Sequence, residues 1–175
     1  HFGESVETFF VTTGTAANVL GLFAGTRSYN SIICARSAHL HVDECGAPQK
    51  ITGCTVIQVD ARDGKLSVPL VEPHVYGFGD KHHPQPRIIS ISEPTELETV
   101  YSLGELRELS EFAHSNGMLL HMDGARLSNA AAGLGVNLKQ VTANAGVDIL
   151  SFGGTKNGAM LAESVVFFKP ELAKD

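Results

Sequence analysis

One lysine stands among three glycines in the stretch SFGGTKNG, residues 151–158. An apolar run ending at Leu150 precedes it, so Lys156 lies just beyond a predicted buried strand. A desolvated lysine amine is a nucleophile that forms imines with carbonyl compounds. The bare backbone of the glycines would let a flat cofactor come close. The alternative is an ordinary solvated lysine.

A carboxylate and a guanidinium follow another apolar run, in HMDGAR, residues 121–126. Asp123, at the end of a predicted strand, could hold a protonated ring nitrogen or a metal, or could cap the helix predicted after it. Arg126 could bind a substrate carboxylate through two parallel hydrogen bonds, or form a structural ion pair.

The segment TTGTAAN, residues 12–18, contains a glycine turn between a predicted strand and a predicted helix. Free amides at a helix N-terminus, beside threonine hydroxyls, form an anion site. Alternatively, Thr13 or Thr15 only caps the helix. The segment lacks the glycine spacing of dinucleotide-binding and Walker motifs, so we expect a single phosphate rather than a dinucleotide or a nucleoside triphosphate.

His39 lies in the loop after the predicted strand that ends at Cys34. Its imidazole could lie flat on an aromatic ring, or it could be a hydrogen-bonded loop residue. Each of these signals is weak alone. Together, a phosphate cradle, His39, Asp123 and Lys156, each following a strand, make up the set that a pyridoxal phosphate enzyme requires.

Short β-branched-rich runs alternate with helical patterns along the chain. We predict strands at Thr8–Thr12, Ser31–Cys34, Thr55–Asp60, Arg87–Ser92, Met118–Met122, Asp148–Phe152 and Ser164–Phe168. We predict helices at Thr15–Ala24, His41–Ala47, Val68–Tyr76, Leu103–Asn116, Ala125–Ala132 and Leu138–Ala143. This alternation predicts an α/β fold with a mainly parallel seven-stranded sheet and helices on both faces. Ligands of such sheets bind beyond the carboxyl ends of the strands.

Composition limits the classes of protein that remain. The 175 residues are 43% hydrophobic and 18% charged, as expected for one globular domain with a core. A net charge of −6 argues against a nucleic-acid surface, and no apolar run approaches a membrane span. Three cysteines without C-x-x-C spacing and eight histidines without an H-E-x-x-H pattern predict no metal site and a reducing, cytoplasmic location. The first residue is not Met and KPELAKD reads as the opening of a helix, so we expect a piece of a longer protein.

Four segments, FVTTGTAANVL, SAHLHVDECGAP, LHMDGARLSNAAAGLG and DILSFGGTKNG, resemble the low-specificity L-threonine aldolases, pyridoxal-phosphate enzymes of the aspartate-aminotransferase fold, type I. The resemblance covers nearly the whole chain, and LHMDGARLSNA is its most specific part. It implies that Lys156 holds the cofactor as a Schiff base and that Asp123 binds the pyridinium nitrogen. It further implies that His39 stacks on the ring. It also implies that Gly14 and Thr15 bind the cofactor phosphate. Arg126 is implied to bind the substrate carboxylate.

The resemblance also implies an activity and an assembly. The activity is retro-aldol cleavage of L-threonine or L-allo-threonine to glycine and acetaldehyde. Residues 1–175 would be the cofactor-binding large domain, incomplete at both ends and without the small C-terminal domain, in a homodimer or homotetramer. Many relatives carry a histidine that positions the substrate hydroxyl where this chain has Glu96.

Several alternatives stay open. The base could be His39, Glu96 through a water, or the cofactor phosphate. The reaction could be that of another fold-type-I enzyme, a β-eliminating lyase or an aminotransferase. The chain could also be a catalytically silent fragment that binds the cofactor.

Overall fold

A single sheet organises the part of the chain that the computed structural model describes, residues 1–3 and 6–174. Its strands are β1 (Glu7–Val11), β2 (Asn30–Ala35), β3 (Thr55–Val59), β4 (Gln85–Ser92), β5 (Leu119–Gly124), β6 (Ile149–Gly153) and β7 (Glu163–Phe167). They lie in the order β1-β7-β6-β5-β4-β2-β3. All seven predicted strands are confirmed, with ends shifted by at most two residues.

The sheet is parallel apart from one strand. Strands β2 to β6 run in one direction. Strand β7 is antiparallel to both of its neighbours, β6 and β1. Strand β1 therefore runs with the main group, and the prediction of a mainly parallel α/β sheet is confirmed.

Seven short to medium helices connect the strands in the described chain. They are α1 (Gly14–Gly25), α2 (His39–Val42), α3 (Ala47–Thr52), α4 (Val68–Val71), α5 (Leu103–Ser115), α6 (Leu127–Leu134) and α7 (Leu138–Val141). Tighter 3₁₀ turns follow at Glu72–His74, Ala143–Ala145, Thr155–Asn157 and Pro170–Ala173.

Three helix predictions need correction. The predicted helix His41–Ala47 is wrong, because Cys45 and Gly46 have left-handed φ angles of 51° and 73° and separate α2 from α3. Helix α6 begins at Leu127, two residues later than predicted. The helix predicted to open in KPELAKD is a 3₁₀ turn as far as the structure describes it, and Asp175 lies outside the described residues.

Adjacent apolar residues in each central strand face opposite sides of the sheet. One side packs against α1 through a set that includes Ile32, Ile88, Leu119 and Ile149. The other side, with Ile33, Ile89, Leu120 and Leu150, packs against α5, α6 and α7. Helices therefore cover both faces, and a buried layer lies on each side of the sheet.

Helix α1 lies close to the sheet at two of its glycines. A Cβ atom at Gly21 would lie 2.9 Å from Cγ2 of Ile149, and one at Gly25 would lie 3.0 Å from Cδ1 of the same side chain. This contact leaves Asn18, one turn before Gly21, buried over the sheet with 1% exposure. No helix among the described residues is long and apolar enough to cross a membrane.

Candidate active site

Strand register brings the chemistry-bearing segments to one edge of the sheet. Glu163, the first residue of β7, pairs with both Val11 at the end of β1 and Gly153 at the end of β6. Asp123 in β5 pairs with Ser92 at the end of β4 and with Ser151 in β6. The start of α1, the Asp123 carboxylate and the turn that carries Lys156 therefore all lie at the carboxyl edge.

The N-terminus of α1 has both the predicted cap and free amides. The Thr13 hydroxyl accepts a hydrogen bond from the Ala16 amide at 3.1 Å, so the capping role is confirmed for Thr13. The amides of Gly14 and Thr15 have no acceptor among the described residues. A Cβ atom on Gly14 would meet nothing within 4 Å, so the space in front of this helix end is open. The Thr13 cap therefore leaves the amides of Gly14 and Thr15 free, an arrangement that could hold an anion.

Asp123 is held by two hydrogen bonds and is only 8% exposed. Its Oδ2 accepts from the side-chain amide of Asn18 at 2.8 Å, and its Oδ1 accepts from the backbone amide of Ala125 at 3.2 Å. The alternative that Asp123 caps the next helix is wrong, because α6 starts only after Arg126. One carboxylate therefore stands at the strand end in a fixed orientation.

Two residues that sequence reasoning missed link Asp123 to His39. The Asn18 amide also donates to Glu44 Oε1 at 2.7 Å, and the same oxygen lies 3.0 Å from Nδ1 of His39. The Glu44 side chain is fully buried, whereas the His39 side chain is 29% exposed. A continuous chain of contacts therefore runs from Asp123 through Asn18 and Glu44 to His39.

Burial of Glu44 changes its acidity. Loss of solvent raises the pKa of this carboxyl above its ordinary value, and the charge of Asp123 adds to the rise. Hydrogen bonds from Asn18 and His39 act in the opposite direction. Ligand atoms of His39, Glu44 and Asp123 lie within 4.8 Å of one another, a spacing that could hold a metal ion. Because the Asn18 NH₂ group donates to both carboxylates, we read the group as a hydrogen-bonded cluster.

Lys156 lies in the 3₁₀ turn that follows β6, and its side chain is exposed. It makes no ion pair or side-chain hydrogen bond within the described chain. Two of the glycines before it have a packing role that the sequence did not indicate. A Cβ at Gly153 would lie 2.6 Å from the carbonyl oxygen of Ala125, and one at Gly154 would lie 2.8 Å from that of Ala162. These glycines let the turn pack against neighbouring backbone.

Arg126 and Glu96 line one cleft of about 320 Å³ at the same edge, together with Pro94 and Thr95. The alternative that Arg126 forms a structural ion pair is not supported, since it has no such partner among residues 1–3 and 6–174. A guanidinium left unpaired in a cleft is available for a carboxylate ligand. The structure thus brings Arg126 and Glu96 together.

Glu93, at the start of the loop that carries Glu96, is a buried carboxyl with 1% exposure. Its Oε2 accepts from the Tyr101 amide at 3.0 Å, and its Oε1 has no partner. Burial raises the pKa of this group from 4.5 to about 7, against the lowering effects of the Tyr101 amide and Lys65. The backbone amide of Glu93 donates to the Asp123 carbonyl at 2.8 Å, which ties this loop to β5.

A neutral histidine lies beneath the site on the α1 side of the sheet. His121 is completely buried, with Nδ1 2.8 Å from the Ser90 hydroxyl and Nε2 3.1 Å from the Ser151 hydroxyl. Burial lowers the pKa of its imidazole from 6.5 to about 4, although the charge of Asp123 acts to raise it. An uncharged ring with both nitrogens satisfied is therefore a structural support for β5.

Comparison with known proteins identifies the family. A family model described as beta-eliminating lyase matches residues 2–174, nearly all of the chain. The chain belongs to the beta-eliminating lyase family. The chain is 42% identical to a low specificity L-threonine aldolase of Pseudomonas aeruginosa, over 99% of this chain and 51% of that protein. The resemblance noted in the sequence is confirmed.

Two further comparisons bear on the family. A solved structure of threonine aldolase from Leishmania major superposes with a TM-score of 0.89 at 28% identity, covering 97% of this chain and 49% of that one. Alanine racemase TOXG of Cochliobolus carbonum is 33% identical over 89% of this chain and 41% of its own length. The chain spans about half the length of the threonine aldolases of Pseudomonas aeruginosa and Leishmania major that it matches.

Proposed function

We propose that this chain is the cofactor-binding part of a pyridoxal-phosphate-dependent aldolase that cleaves L-threonine or L-allo-threonine to glycine and acetaldehyde. The observation that carries the proposal is the meeting of Asp123, His39, Lys156 and an open helix N-terminus at one sheet edge. The likeness to threonine aldolases over 99% of the chain supports the choice of reaction. The seven-stranded, mainly parallel sheet that brings these residues together supports the assignment of the chain as the large domain.

The residues present fit pyridoxal phosphate. The free amides of Gly14 and Thr15 at the positive end of α1 suit a phosphate. The buried Asp123 carboxylate suits a protonated ring nitrogen, because an ionised partner favours the charged form of a base. The exposed amine of Lys156 is free to hold the cofactor covalently, and His39 would lie against its ring.

The cofactor, when bound, supplies an electron sink for the bond broken at the substrate Cα. Arg126 would bind the substrate carboxylate, since its guanidinium lies in the cleft without an ion-pair partner in the described residues. Asp123 would keep the ring nitrogen protonated, which sustains that sink. Lys156 would hold the cofactor covalently through its exposed amine.

Retro-aldol cleavage also needs a group that accepts the proton of the substrate β-hydroxyl. His39 Nε2 is one candidate, because Nδ1 is occupied by Glu44 and the ring is partly exposed. Glu96 is the other candidate side chain, since it lines the same cleft as Arg126 and could act through a water. We favour His39 because its orientation is fixed by a hydrogen bond.

The reaction is tested by product analysis of the protein with pyridoxal phosphate. We expect acetaldehyde and glycine from L-threonine. Pyruvate from L-serine would indicate β-elimination, and D-alanine from L-alanine would indicate the chemistry for which the TOXG relative is named. Either activity in excess of threonine cleavage would overturn the proposed reaction. Cofactor binding without any product would favour the silent, cofactor-binding alternative.

The lysine is tested by borohydride reduction and peptide mass mapping. We expect one reduced adduct, at Lys156, and none in Lys156→Ala. The matched control is Lys139→Ala, which removes another exposed lysine and should keep the adduct. An adduct that persists in Lys156→Ala would show that another amine holds the cofactor.

The expected assembly and location remain predictions. Phe9, Phe10, Leu20 and Phe23, on β1 and α1, are between 46% and 86% exposed, which supports burial against a second subunit in a homodimer or homotetramer. Cys34, Cys45 and Cys54 are all free, which supports a reducing compartment such as the cytoplasm. The partner expected at the site is a small amino acid, and we expect neither nucleic acid nor membrane.

A further inference from the structure

The chain of contacts from Asp123 to His39 runs through two buried residues, Asn18 on α1 and Glu44 in the segment between α2 and α3. Asn18 is 1% exposed and Glu44 is 3% exposed. Their partners are distant in sequence, since 105 residues separate Asn18 from Asp123 and 26 separate it from Glu44. Two buried polar side chains in contact with each other and with two site residues need an explanation.

The first link is the Asn18 side chain, whose orientation follows from its neighbours. One nitrogen lies 2.8 Å from an Asp123 oxygen and 2.7 Å from a Glu44 oxygen. Carboxylates accept hydrogen bonds and an amide NH₂ group has two hydrogens, so this nitrogen donates one to each. The Asn18 oxygen is left buried and without a partner, a cost that only the two carboxylate contacts offset.

The second link concerns the proton on His39. Glu44 Oε1 lies 3.0 Å from Nδ1 of the imidazole and is also the acceptor for Asn18. An ionised carboxylate cannot donate, so with Glu44 ionised the hydrogen bond at this distance places the proton on Nδ1. In the neutral ring Nε2 is then a lone-pair acceptor. The Glu44 side chain is fully buried and the His39 side chain 29% exposed, so Nδ1 is the nitrogen held inside.

We infer that Glu44 and Asn18 are positioning residues that act through His39 and Asp123. Glu44 fixes the His39 tautomer with the proton on Nδ1 and the basic Nε2 turned toward the ligand. Asn18 donates to both carboxylates and so fixes their orientations relative to each other. Asp123 is the residue that would face the cofactor ring nitrogen, and Glu44 is the residue that orients His39. The use of Nε2 as a base rests on the proposed function, whereas the tautomer itself does not.

The tautomer is measured by ¹⁵N NMR of the cofactor-free protein labelled at histidine, with His39→Asn to assign the signal. We expect wild-type His39 to carry its proton on Nδ1. In Glu44→Leu the acceptor is gone, and we expect the Nε2-protonated form to become populated. Glu44→Gln keeps a side-chain oxygen beside Nδ1 and should restore the wild-type signal. Glu108→Leu, at an exposed position of α5, is the matched control and should leave it unchanged.

Two results would overturn the role of Glu44. One is a wild-type His39 that is protonated on Nε2, a result that needs no variant and is independent of folding in Glu44→Leu. The other is a folded Glu44→Leu protein with the wild-type tautomer. Neither measurement depends on turnover. The positioning role of Glu44 and the proposed cleavage of threonine can therefore be refuted independently of each other.

The role of Asn18 is tested by a double-mutant cycle on pyridoxal phosphate affinity, read by cofactor fluorescence. If Asn18 acts through Asp123, Asn18→Ala should weaken binding by about tenfold in the wild type, the effect of losing a hydrogen bond to a charged group. In an Asp123→Asn background the same change should cost less than about twofold. Equal losses in both backgrounds would show that Asn18 acts independently of Asp123.

For turnover, Glu44→Leu should lower kcat for L-threonine by about a hundredfold, the usual worth of one correctly protonated base. Glu44→Gln should recover most of that loss. A Glu44→Leu protein with wild-type kcat would exclude the tautomer as a factor in the reaction.

Discussion

Replacement of Glu93 by glutamine should make the stability of the protein depend more strongly on pH. The wild-type carboxyl is 1% exposed, has one oxygen without a partner, and has a pKa raised from 4.5 to about 7. Below pH 4.5 it carries a proton in both the folded and the unfolded chain. As the pH rises toward 7, the unfolded chain ionises while the folded chain keeps its proton, so the folded state loses stability over this interval.

The size of this loss of stability follows from the difference between the pKa values of Glu93 in the folded and unfolded chains. Each pH unit between the folded and unfolded pKa values corresponds to about 1.4 kcal/mol, so an ionised Glu93 costs the folded protein about 3 kcal/mol above pH 7. Glutamine resembles the protonated acid in shape and cannot ionise. The free energy of unfolding of Glu93→Gln, relative to wild type, should therefore rise by about 3 kcal/mol between pH 4.5 and 7.5.

His121 makes the comparison sharper because its pH dependence has the opposite sign. With a pKa lowered from 6.5 to about 4, it binds a proton more readily in the unfolded chain, so it makes the folded state lose stability as the pH falls through that interval. In the wild type the two groups nearly offset each other between pH 4.5 and 6.5. In Glu93→Gln only the histidine effect remains, and the variant should be the more acid-sensitive protein.

Urea denaturation followed by circular dichroism at pH 4.5, 5.5, 6.5 and 7.5 measures these differences. Glu108→Gln is the matched control, since Glu108 is exposed and should change stability by less than about 0.5 kcal/mol at each pH. A constant difference between Glu93→Gln and wild type across the series would refute the reasoning. It would mean that Glu93 ionises in the folded protein as readily as in the unfolded chain.

Three further predictions concern the turn beside Lys156, the base of the sheet and the cleft. Gly153→Ala should destabilise the protein by about 2 kcal/mol or more in thermal or urea unfolding, because its Cβ would meet the Ala125 carbonyl at 2.6 Å, whereas Gly14→Ala faces open space and should cost under about 1 kcal/mol. Asp148→Asn should cost about 3 kcal/mol, since that side chain is 2% exposed and contacts a histidine, a lysine and a backbone amide; an unchanged urea midpoint would contradict this. Arg126→Ala should raise the KM for L-threonine at least about tenfold without lowering the melting temperature, since it has no ion pair within the described chain; a normal KM would exclude carboxylate binding.

The fold was largely predictable because each strand corresponds to a short run rich in β-branched residues. The runs that end at Cys34 and Ser92, for example, are buried on both faces. Their continuous apolar pattern predicts a strand without knowledge of the neighbouring strands. The placement of Asp123 and Lys156 at one edge followed from the rule for parallel sheets. The prediction of the helix His41–Ala47 was wrong for a local reason. Cys45 takes a left-handed conformation, which is uncommon for a residue other than glycine, and this interrupts the helix.

The candidate site was only half predictable, for a reason of distance along the chain. Asn18 interrupts the apolar face of α1 and could have been noticed, since a polar residue there is expected to have a buried partner. That partner, however, is set by contacts 26 and 105 residues away. Glu44 carries no motif of its own and is recognisable only once His39 lies beside it.

The order of the strands has a consequence for how the protein is made. Of the seven strands, β1 is synthesised first, yet within the described residues its only neighbour in the sheet is β7, the last of the seven to be synthesised. Until β7 emerges, Phe9 and Phe10 have no strand to pair beside, and α1 has no complete surface to lie on. Pairing of such distant segments is slow, so a nascent chain exposes an unpaired, aromatic strand while the strands between β1 and β7 are made. Early protection of that strand, rather than closure of the central sheet, should therefore govern the yield of folded protein.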